Sequence, residues 1–360
     1  MDIRRVFSGE TPSDELEQAF AELPQRLYAD DRRWIPVPAE HTRRLLSSDN
    51  PFFRYGELEA FLALDGDRPV GRCAAMINPR LQRDGETIGL VGFFEAEDRD
   101  EISEALLREA CSWLRERGRR RIWGPMNFSM WHGYRLMTRG FDQSPFFGEP
   151  YNPPHYPRHF ERFGFTPLAR YYSWDLGEEH IREFWEKASP FLPALEAANK
   201  GYRIEPIRLD RYDEEVVRIH GVLSESFSNV LEYSPIDADE MLAIFEGYDE
   251  FMIPELARIV ISPEGEDVGY LATYPDIAPL LRARADGGDA EVDRLVLHTM
   301  ALTKPHRRKQ VIETFAIPML KEMLDKGFFK LMGALAREGR TIYHNVAEPT
   351  REYTLYSLET

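Results

Sequence analysis

The sequence predicts an α/β protein built as two similar lobes, each around a mixed sheet. Three observations predict it. Apolar runs and amphipathic stretches follow one order twice: strand, helix or helices, hairpin, strand, helix, strand, helix, strand. Local words recur in that order. FLALDGDRPVGRCAAMINP (61–79) parallels IVISPEGEDVGYLATYPDI (259–277), and WLRERGRRRIWGP (113–125) parallels EMLDKGFFKLMGA (322–334). The length, 360 residues, also suits two domains. The expected division is a first lobe over 1–177, a connecting helix over 178–200 and a second lobe over 201–360.

Composition narrows the function. Apolar residues make up 43% and charged residues 30%, enough for real cores in a globular protein. The net charge of −17 argues against a general nucleic-acid binder, which needs a basic surface. Cys73 and Cys111 are too few for a disulfide framework or a cysteine-rich metal site, and both sit in apolar context as expected buried thiols. The opening MDIRRVFSGETP lacks the apolar core of a signal peptide, and no apolar run is long enough to cross a bilayer. The protein reads as cytosolic.

In the first lobe, a strand is expected over 1–8, then a helix capped by Ser13 with Leu16, Phe20, Leu23 and Leu27 on one face. Residues 30–53 read as irregular, with a short helix over 39–46. Strands over 58–64 and 69–77 flank the hairpin signal Asp65-Gly66-Asp67. A buried strand over 88–94, an amphipathic helix over 101–117 ended by Gly118, and a strand from Arg121 follow. The stretch 124–154 reads as one long loop, a length often tied to function. A helix over 156–163 ends at Gly164, and a strand covers 168–176.

In the second lobe, a strand over 202–209 leads to helices over 213–227 and 235–248. Strands over 256–261 and 268–274 form a hairpin. A short apolar run over 295–302 then enters a cationic turn with Lys304, His306, Arg307, Arg308 and Lys309. An amphipathic helix over 312–324 follows, in which Pro318 predicts a kink, and Gly327 ends it. A strand, a polar helix over 341–345 and a last strand over 353–358 complete the lobe. The basic turn opening a helix reads as an anion site or as a solvated charged face: a helix N-terminus offers free N–H groups and positive potential, to which the cations add.

This order resembles the GNAT superfamily of N-acetyltransferases, once per half. In that family a strand runs into a turn, roughly R-G-x-G-x-G/A, whose backbone holds the pyrophosphate of coenzyme A. The matching turn here is Arg307-Arg308-Lys309-Gln310-Val311-Ile312, with its arginine kept and the glycine positions filled by Arg308, Gln310 and Ile312. Tyr353 and Tyr356 fit the family's closing Tyr-x-x-Tyr. The first half resembles a two-lobed subgroup that includes the bacterial ceramide synthases, through Gly92-Phe93-Phe94-Glu95, Trp113-Leu114, Gly124-Pro125-Met126-Asn127-Phe128-Ser129, Gly140-Phe141-Asp142 and Asn152-Pro153-Pro154. The resemblance implies an N-acyltransferase. Its co-substrate would be acyl-CoA, or an acyl carrier protein with its phosphopantetheine arm. Its acceptor would be an amine, as lipid-like as a sphingoid base, with peripheral membrane contact as a further option.

Charge assigns the donor to a half. Where the first half starts its helix after the fourth strand stand Glu95, Glu97, Asp98, Asp100 and Glu101, which repel phosphate; the second half has Lys304, Arg307, Arg308 and Lys309. The resemblance then makes Thr299, Met300, Ala301, Leu302, Arg307, Arg308, Lys309, Gln310 and Val311 the donor-binding set. His298 beside that strand is a candidate base or an ordinary strand histidine. Tyr343 and Asn345, with His344, lie where the family often places a tyrosine acid, or on plain helix surface.

Acceptor-pocket candidates are Asn127, Trp131, His132, Tyr134, Asn152, His155 and Tyr156, in or beside the long loop; Asn152 suits a helix N-cap equally well. His155 and His159 have metal-ligand spacing, but no third ligand is evident and no metal is expected. The alternatives are acetyl-CoA-dependent acetylation of a small polar amine and a non-catalytic binding module whose phosphate loops are lost.

Overall fold

An antiparallel meander opens the chain: β1 (Asp2–Arg5), β2 (Glu57–Asp65), β3 (Arg68–Arg83) and β4 (Glu86–Ala96) pair in that order. The computed structural model describes residues 1–6, 14–339 and 347–359, without the side chains of Arg308 and Lys309. The described residues form two units. The first holds Met1–Arg170, Glu232–Ser234 and Glu352–Thr360; the second holds Tyr171–Leu231 and Pro235–Arg351.

In the first unit, α1 (Asp14–Leu27) and α2 (Ala39–Leu46) lie between β1 and β2. β4 pairs in parallel with β5 (Arg121–Gly124), and β5 pairs antiparallel with β13 (Arg351–Glu359), which also takes β6 (Leu136–Arg139). The start of β7 (Thr166–Leu176) follows β13 in strand order. The helix α3 (Asp100–Glu116) makes the parallel crossover. Its Ile102, Leu106, Leu107, Ala110, Cys111 and Leu114 are buried on one stripe against the sheet; a fully buried leucine contributes about 1.5–3 kcal/mol. Gly118 closes the helix with φ 75°, its N–H bonding Arg115 O at 2.8 Å while Arg119 N–H reaches Leu114 O at 2.9 Å. The last helix of the unit, α4 (His155–Phe163), ends at the left-handed Gly164.

In the second unit the end of β7 pairs with β12 (Lys330–Arg337), then β11 (Arg294–Leu302), β10 (Asp267–Pro275), β9 (Ala257–Ile261) and β8 (Arg203–Pro206) follow. β11 and β12 are parallel, joined through α10 (Val311–Asp325). The remaining helices are α5 (Glu178–Ala188), α6 (Leu192–Ala198), α7 (Tyr212–Phe227), α8 (Ala238–Phe245) and α9 (Ala278–Ala285). Leu256, Leu295, Met323 and Leu331 pack with Trp174 in its core.

The strands of each unit include parallel and antiparallel pairs, as the sequence predicts for a mixed sheet. Cys73 and Cys111 are buried free thiols. Several expectations shift. The first unit ends at Arg170 rather than 177, because Tyr171, Tyr172, Trp174, Asp175 and Leu176 pair with β12. Residues 178–200, expected as a connecting helix, form α5 and α6, which pack on α10, and Asn199 Nδ2 bonds Thr314 Oγ1 at 2.9 Å. The last strand belongs almost wholly to the first unit, since Tyr356, Ser357, Leu358 and Glu359 pair with β5. The loop over 124–154 contains β6, and α9 has too weak an apolar stripe to be seen in sequence. The helix α10 runs unbroken through Pro318. The proposed cap Ser13 and the polar helix over 341–345 lie outside the described residues.

Both units bulge at the same topological place. In the first, Cys73 on β3 faces both Phe93 and Phe94, with Arg72 opposite Glu95 and Ala74 opposite Gly92. In the second, His298 is the extra residue between Leu297 and Thr299. Beyond the bulge the parallel partner strand no longer pairs. In the first unit Met126 and Asn127 move against β4 instead: Met126 N–H bonds Val91 O at 2.9 Å and Phe93 N–H bonds Asn127 Oδ1 at 2.8 Å. That approach needs the bare Cα of Gly92, whose Cβ would stand 2.5 Å from both Asn127 Oδ1 and Met126 O. Gly92→Ala is therefore expected to destabilise the protein by roughly 1–3 kcal/mol, read by denaturant melts; an unchanged midpoint would show that this contact yields freely.

Candidate functional site

The first unit has a cleft of about 160 Å³ at the bulge of β4. Phe93, Phe94, Pro125 and Leu136 give it apolar walls, while Glu95, Arg72 and Tyr156 bring charge and hydroxyl groups to it. The bulge matters here because it re-aims successive side chains of β4. Glu95 Oε2 accepts hydrogen bonds from Tyr28 at 2.9 Å and Tyr156 at 2.7 Å. The Tyr156 hydroxyl also accepts from Ala96 N–H at 2.9 Å, which fixes its proton toward the carboxylate. Arg72, Glu95's cross-strand neighbour, holds a guanidinium nitrogen 4.0 Å from Oε1. Its side chain is 6% exposed and that of Glu95 17%, so the carboxylate keeps a narrow opening to solvent.

Burial sets the electrostatics. It raises the Glu95 pKa above the ordinary glutamate value, against the opposing pull of Arg72 and the two tyrosine hydrogen bonds. Burial, followed by the Glu95 charge, holds the Tyr28 and Tyr156 hydroxyls well above the usual phenol range, so both stay donors. Arg72 is lowered by the same burial. The result is a carboxylate with heightened proton affinity beside an aromatic-walled cleft, suited to accept a proton from a cationic amine.

Of the acceptor-pocket candidates, Asn127, Tyr134, Asn152 and Tyr156 line this cleft. Asn152 is not the cap of α4, a position held by Pro154. Its amide instead bonds both backbone groups of Met137, N–H to Oδ1 at 2.7 Å and Nδ2 to O at 3.2 Å, pinning β6 beside the cleft. Trp131, His132 and His155 are placed elsewhere. Trp131 donates to Ser234 O at 2.9 Å. His132 packs edge-on to Phe128, and burial pushes its pKa down to about 4, so it is neutral. His155 Nε2 lies 3.0 Å from Ala96 O. Sequence reasoning missed Glu95 as a site residue: it stands in the Gly92-Phe93-Phe94-Glu95 word of the resemblance and was otherwise counted among acids that repel phosphate. The signal was present in the apolar run Gly92-Phe93-Phe94 ahead of it, which marks a carboxylate entering a core.

In the second unit the β11–β12 ladder ends at Leu297 and Gly333. Among the described residues, Thr299, Met300, Ala301 and Leu302 have no strand partner on that edge, as a strand that receives a ligand backbone requires. His298 is exposed on the bulge, with Nδ1 3.0 Å from Thr299 Oγ1. The basic turn is a 3-10 segment, Lys304–Lys309, braced by Tyr202 OH at 2.7 Å from His306 Nδ1. Arg307 bonds two carbonyls, Leu302 O at 2.8 Å and Ser226 O, so it ties the turn to β11 and α7. Gln310 takes the left-handed conformation, φ 52° and ψ 37°, directly before α10. The glycine-like backbone is thus kept without glycine. Tyr343, His344 and Asn345 lie outside the described residues.

Two outcomes check these geometries. The folded state binds the Glu95 proton more tightly than the unfolded chain. Glu95 therefore costs stability as pH rises from the ordinary glutamate value through its raised folded value. The melting temperature of Glu95→Gln minus that of the wild type should grow between pH 4 and pH 8; a flat difference would contradict the raised pKa. At Gln310, Gln310→Gly should leave stability within about 1 kcal/mol, strain relief offsetting lost chain stiffness. Gln310→Val should lower stability by at least that amount, both read by chemical denaturation.

No family model matches the chain. A bacterial ceramide synthase of Caulobacter vibrioides (strain NA1000 / CB15N) is 29% identical over 263 residues, 72% of this chain and 67% of that protein. Protein YghO of Escherichia coli (strain K12) is 24% identical over 262 residues, 72% of this chain and 66% of that protein. Among solved structures, a tandem GNAT protein from the clavulanic acid biosynthesis pathway covers 99% of this chain and 98% of its own, at TM-score 0.55 and 13% identity. A probable N-acyltransferase from Enterococcus faecalis V583 covers 99% of this chain and 72% of its own, at TM-score 0.57 and 10% identity. The chain has the fold of the GNAT N-acetyltransferases, present as a tandem pair, and a bacterial ceramide synthase is among its homologues.

Proposed function

We propose that this protein is an N-acyltransferase that moves a long acyl chain from acyl-CoA, or from the phosphopantetheine arm of an acyl carrier protein, to an amine resembling a sphingoid base. The observation that carries the reading is the buried carboxylate of Glu95 at an aromatic-walled cleft. The similarity to a bacterial ceramide synthase supports the acceptor class.

Each unit is read by its own features. In the first, the Phe93 N–H that would serve as an oxyanion donor already bonds Asn127, and the helix start after β4 is acidic, so a thioester is disfavoured there. Arg68 and Arg158 pair with Glu97 and Asp98 there. The cleft then receives the amine end of the acceptor. Glu95 takes a proton from its ammonium, while the tyrosines hold the carboxylate in one orientation. In the second unit, the turn through Arg307, Arg308, Lys309, Gln310 and Val311 receives the donor's phosphates. The open edge of Thr299, Met300, Ala301 and Leu302 receives the pantetheine and the thioester oxygen. The amine nitrogen forms a bond to the thioester carbon, the C–S bond breaks, the nitrogen gives up its remaining surplus proton, and the leaving thiolate takes one. Tyr343 is the candidate donor of that proton, Asn345 a candidate to position it, and His298 the alternative base.

A second reading, acetyl transfer to a small polar amine, is favoured by the cleft's size. At about 160 Å³ it is near the roughly 150 Å³ cavity that holds one benzene, so it fits a headgroup and not a chain.

Product formation from palmitoyl-CoA or acetyl-CoA with sphinganine or spermidine separates the readings. Glu95→Gln should lower turnover by roughly 10²–10⁴-fold while retaining the fold, and His298→Ala should change it only a few-fold. Ligand melts with palmitoyl-CoA should show about 2.7 kcal/mol of stabilisation at a hundredfold excess over the dissociation constant. That gain should vanish in Arg307→Ala/Arg308→Ala when compared with the variant's own unliganded melt. Unchanged donor binding in the double variant would move the donor site away from the turn.

A further inference from the structure

The fold completes a metal-ligand set that the sequence spacing left short. His155 and His159 are one turn apart on α4, and the turn after β4 brings Asp98 to them. One ligand atom from each lies within 4.8 Å of the others. His159 is 1% exposed, and neither of its ring nitrogens has a hydrogen-bond partner. A buried imidazole with both nitrogens unsatisfied is costly unless something fills the gap. Its Nε2 stands 3.9 Å from Asp98 Oδ1 and its Nδ1 3.4 Å from Asp100 Oδ1, an atom that is itself buried without a hydrogen bond.

The outer shell is also in place. His155 Nε2 lies 3.0 Å from the Ala96 carbonyl oxygen, so it carries the proton and Nδ1 is left with its lone pair. Metal-bound histidines are oriented by such a bond on the second nitrogen. The competing cations are Arg158, which pairs with Asp98 and stands 3.7 Å from Asp100 Oδ1, and Arg162, 3.4 Å from Asp100 Oδ2. The Arg158 side chain is 57% exposed, and that of Asp98 54%, so their pair can part at little cost.

We propose that Asp98, His155 and His159 bind a divalent transition-metal ion, zinc by preference, with water as the fourth ligand and Asp100 facing the other ring nitrogen of His159. Two imidazoles and a carboxylate suit zinc in tetrahedral geometry and disfavour magnesium and calcium, which prefer all-oxygen sets. The ion would clamp α4 to the end of β4. Tyr156 lies between the two histidines on that helix and bonds Glu95, so the clamp would hold the catalytic carboxylate's partner in place.

The test uses the untagged full chain, stripped with chelator and titrated with Zn²⁺ alone against a chromogenic competitor. One ion per chain is expected, with a rise in melting temperature and, on Co²⁺ substitution, the intense visible bands of a tetrahedral site. Asp98→Asn and His155→Gln, both outside the core, should each weaken binding at least about tenfold. His159→Gln should abolish it. Binding unaffected by Asp98→Asn and His155→Gln, or no ion bound at equimolar Zn²⁺, would overturn the proposal. Either result would leave the acyl-transfer reading intact, because that reading stands on Glu95.

Discussion

The charge of Glu95 inside the first unit is the constraint around which that unit is arranged. A carboxylate taken out of water is tolerated only with partners, and each partner comes from a different element. Tyr28 follows α1, Arg72 lies on β3, and Tyr156 lies on α4. Arg72 in turn needs Phe20, whose carbonyl takes its Nη1 at 2.6 Å and whose ring lies under its guanidinium. A single charge thus recruits the first helix, the meander and the last helix of the unit. Two neutral donors and one distant cation leave the carboxylate short of full compensation. That shortfall keeps its proton affinity high, which a structural ion pair would not do.

The bulge explains why the same fold yields two different sites. An extra residue in the fourth strand of each unit turns the chain away from its parallel neighbour. In the first unit the gap is taken by Met126 and Asn127, and the amide of Phe93 is spent on Asn127. In the second unit the corresponding edge has no strand partner past Leu297 among the described residues. The helix starts diverge in the same sense. Paired acids stand at the head of α3, and a basic turn leads into α10. Backbone geometry and charge therefore differ between the two copies in the same sense, which is what the proposed placing of the donor rests on.

Much of this was legible in the sequence, and the failures have physical reasons. The period of the apolar residues revealed α2, α3 and α7 within a residue or two, because one stripe of each is buried and the other face is polar. Turn glycines marked Gly66, Gly118 and Gly164, all with positive φ. The helix α9 escaped because its apolar and basic residues share every face. The membership of β13 escaped because strand pairing is a long-range choice: nothing local in Arg351–Glu359 says that its partner is Arg121–Gly124. Asn127, Tyr134, Asn152 and Tyr156 were found as a loop cluster, yet Glu95 was not. Its role depends on Tyr28 and Arg72, far away in sequence, and charge counting treats every acid alike.

The turn before α10 shows how a motif can be lost in letters and kept in conformation. Glycine is favoured there because a left-handed residue lets the chain enter the helix with its first amides pointing outward. Gln310 adopts that conformation at a cost of about 1–2 kcal/mol. The surroundings hold it: Thr314 Oγ1 donates to the Gln310 carbonyl at 3.1 Å, Asn199 donates to the same hydroxyl, and Arg307 fixes the turn's other end to Leu302 and Ser226. These braces come from elements that glycine-rich turns do without, among them the segment over 178–200 that precedes β8. Of the three positions where the family has glycine, Arg308 is cationic in the sequence, while Gln310 and Ile312 are not. The absence of glycine therefore does not by itself remove the left-handed step into the helix.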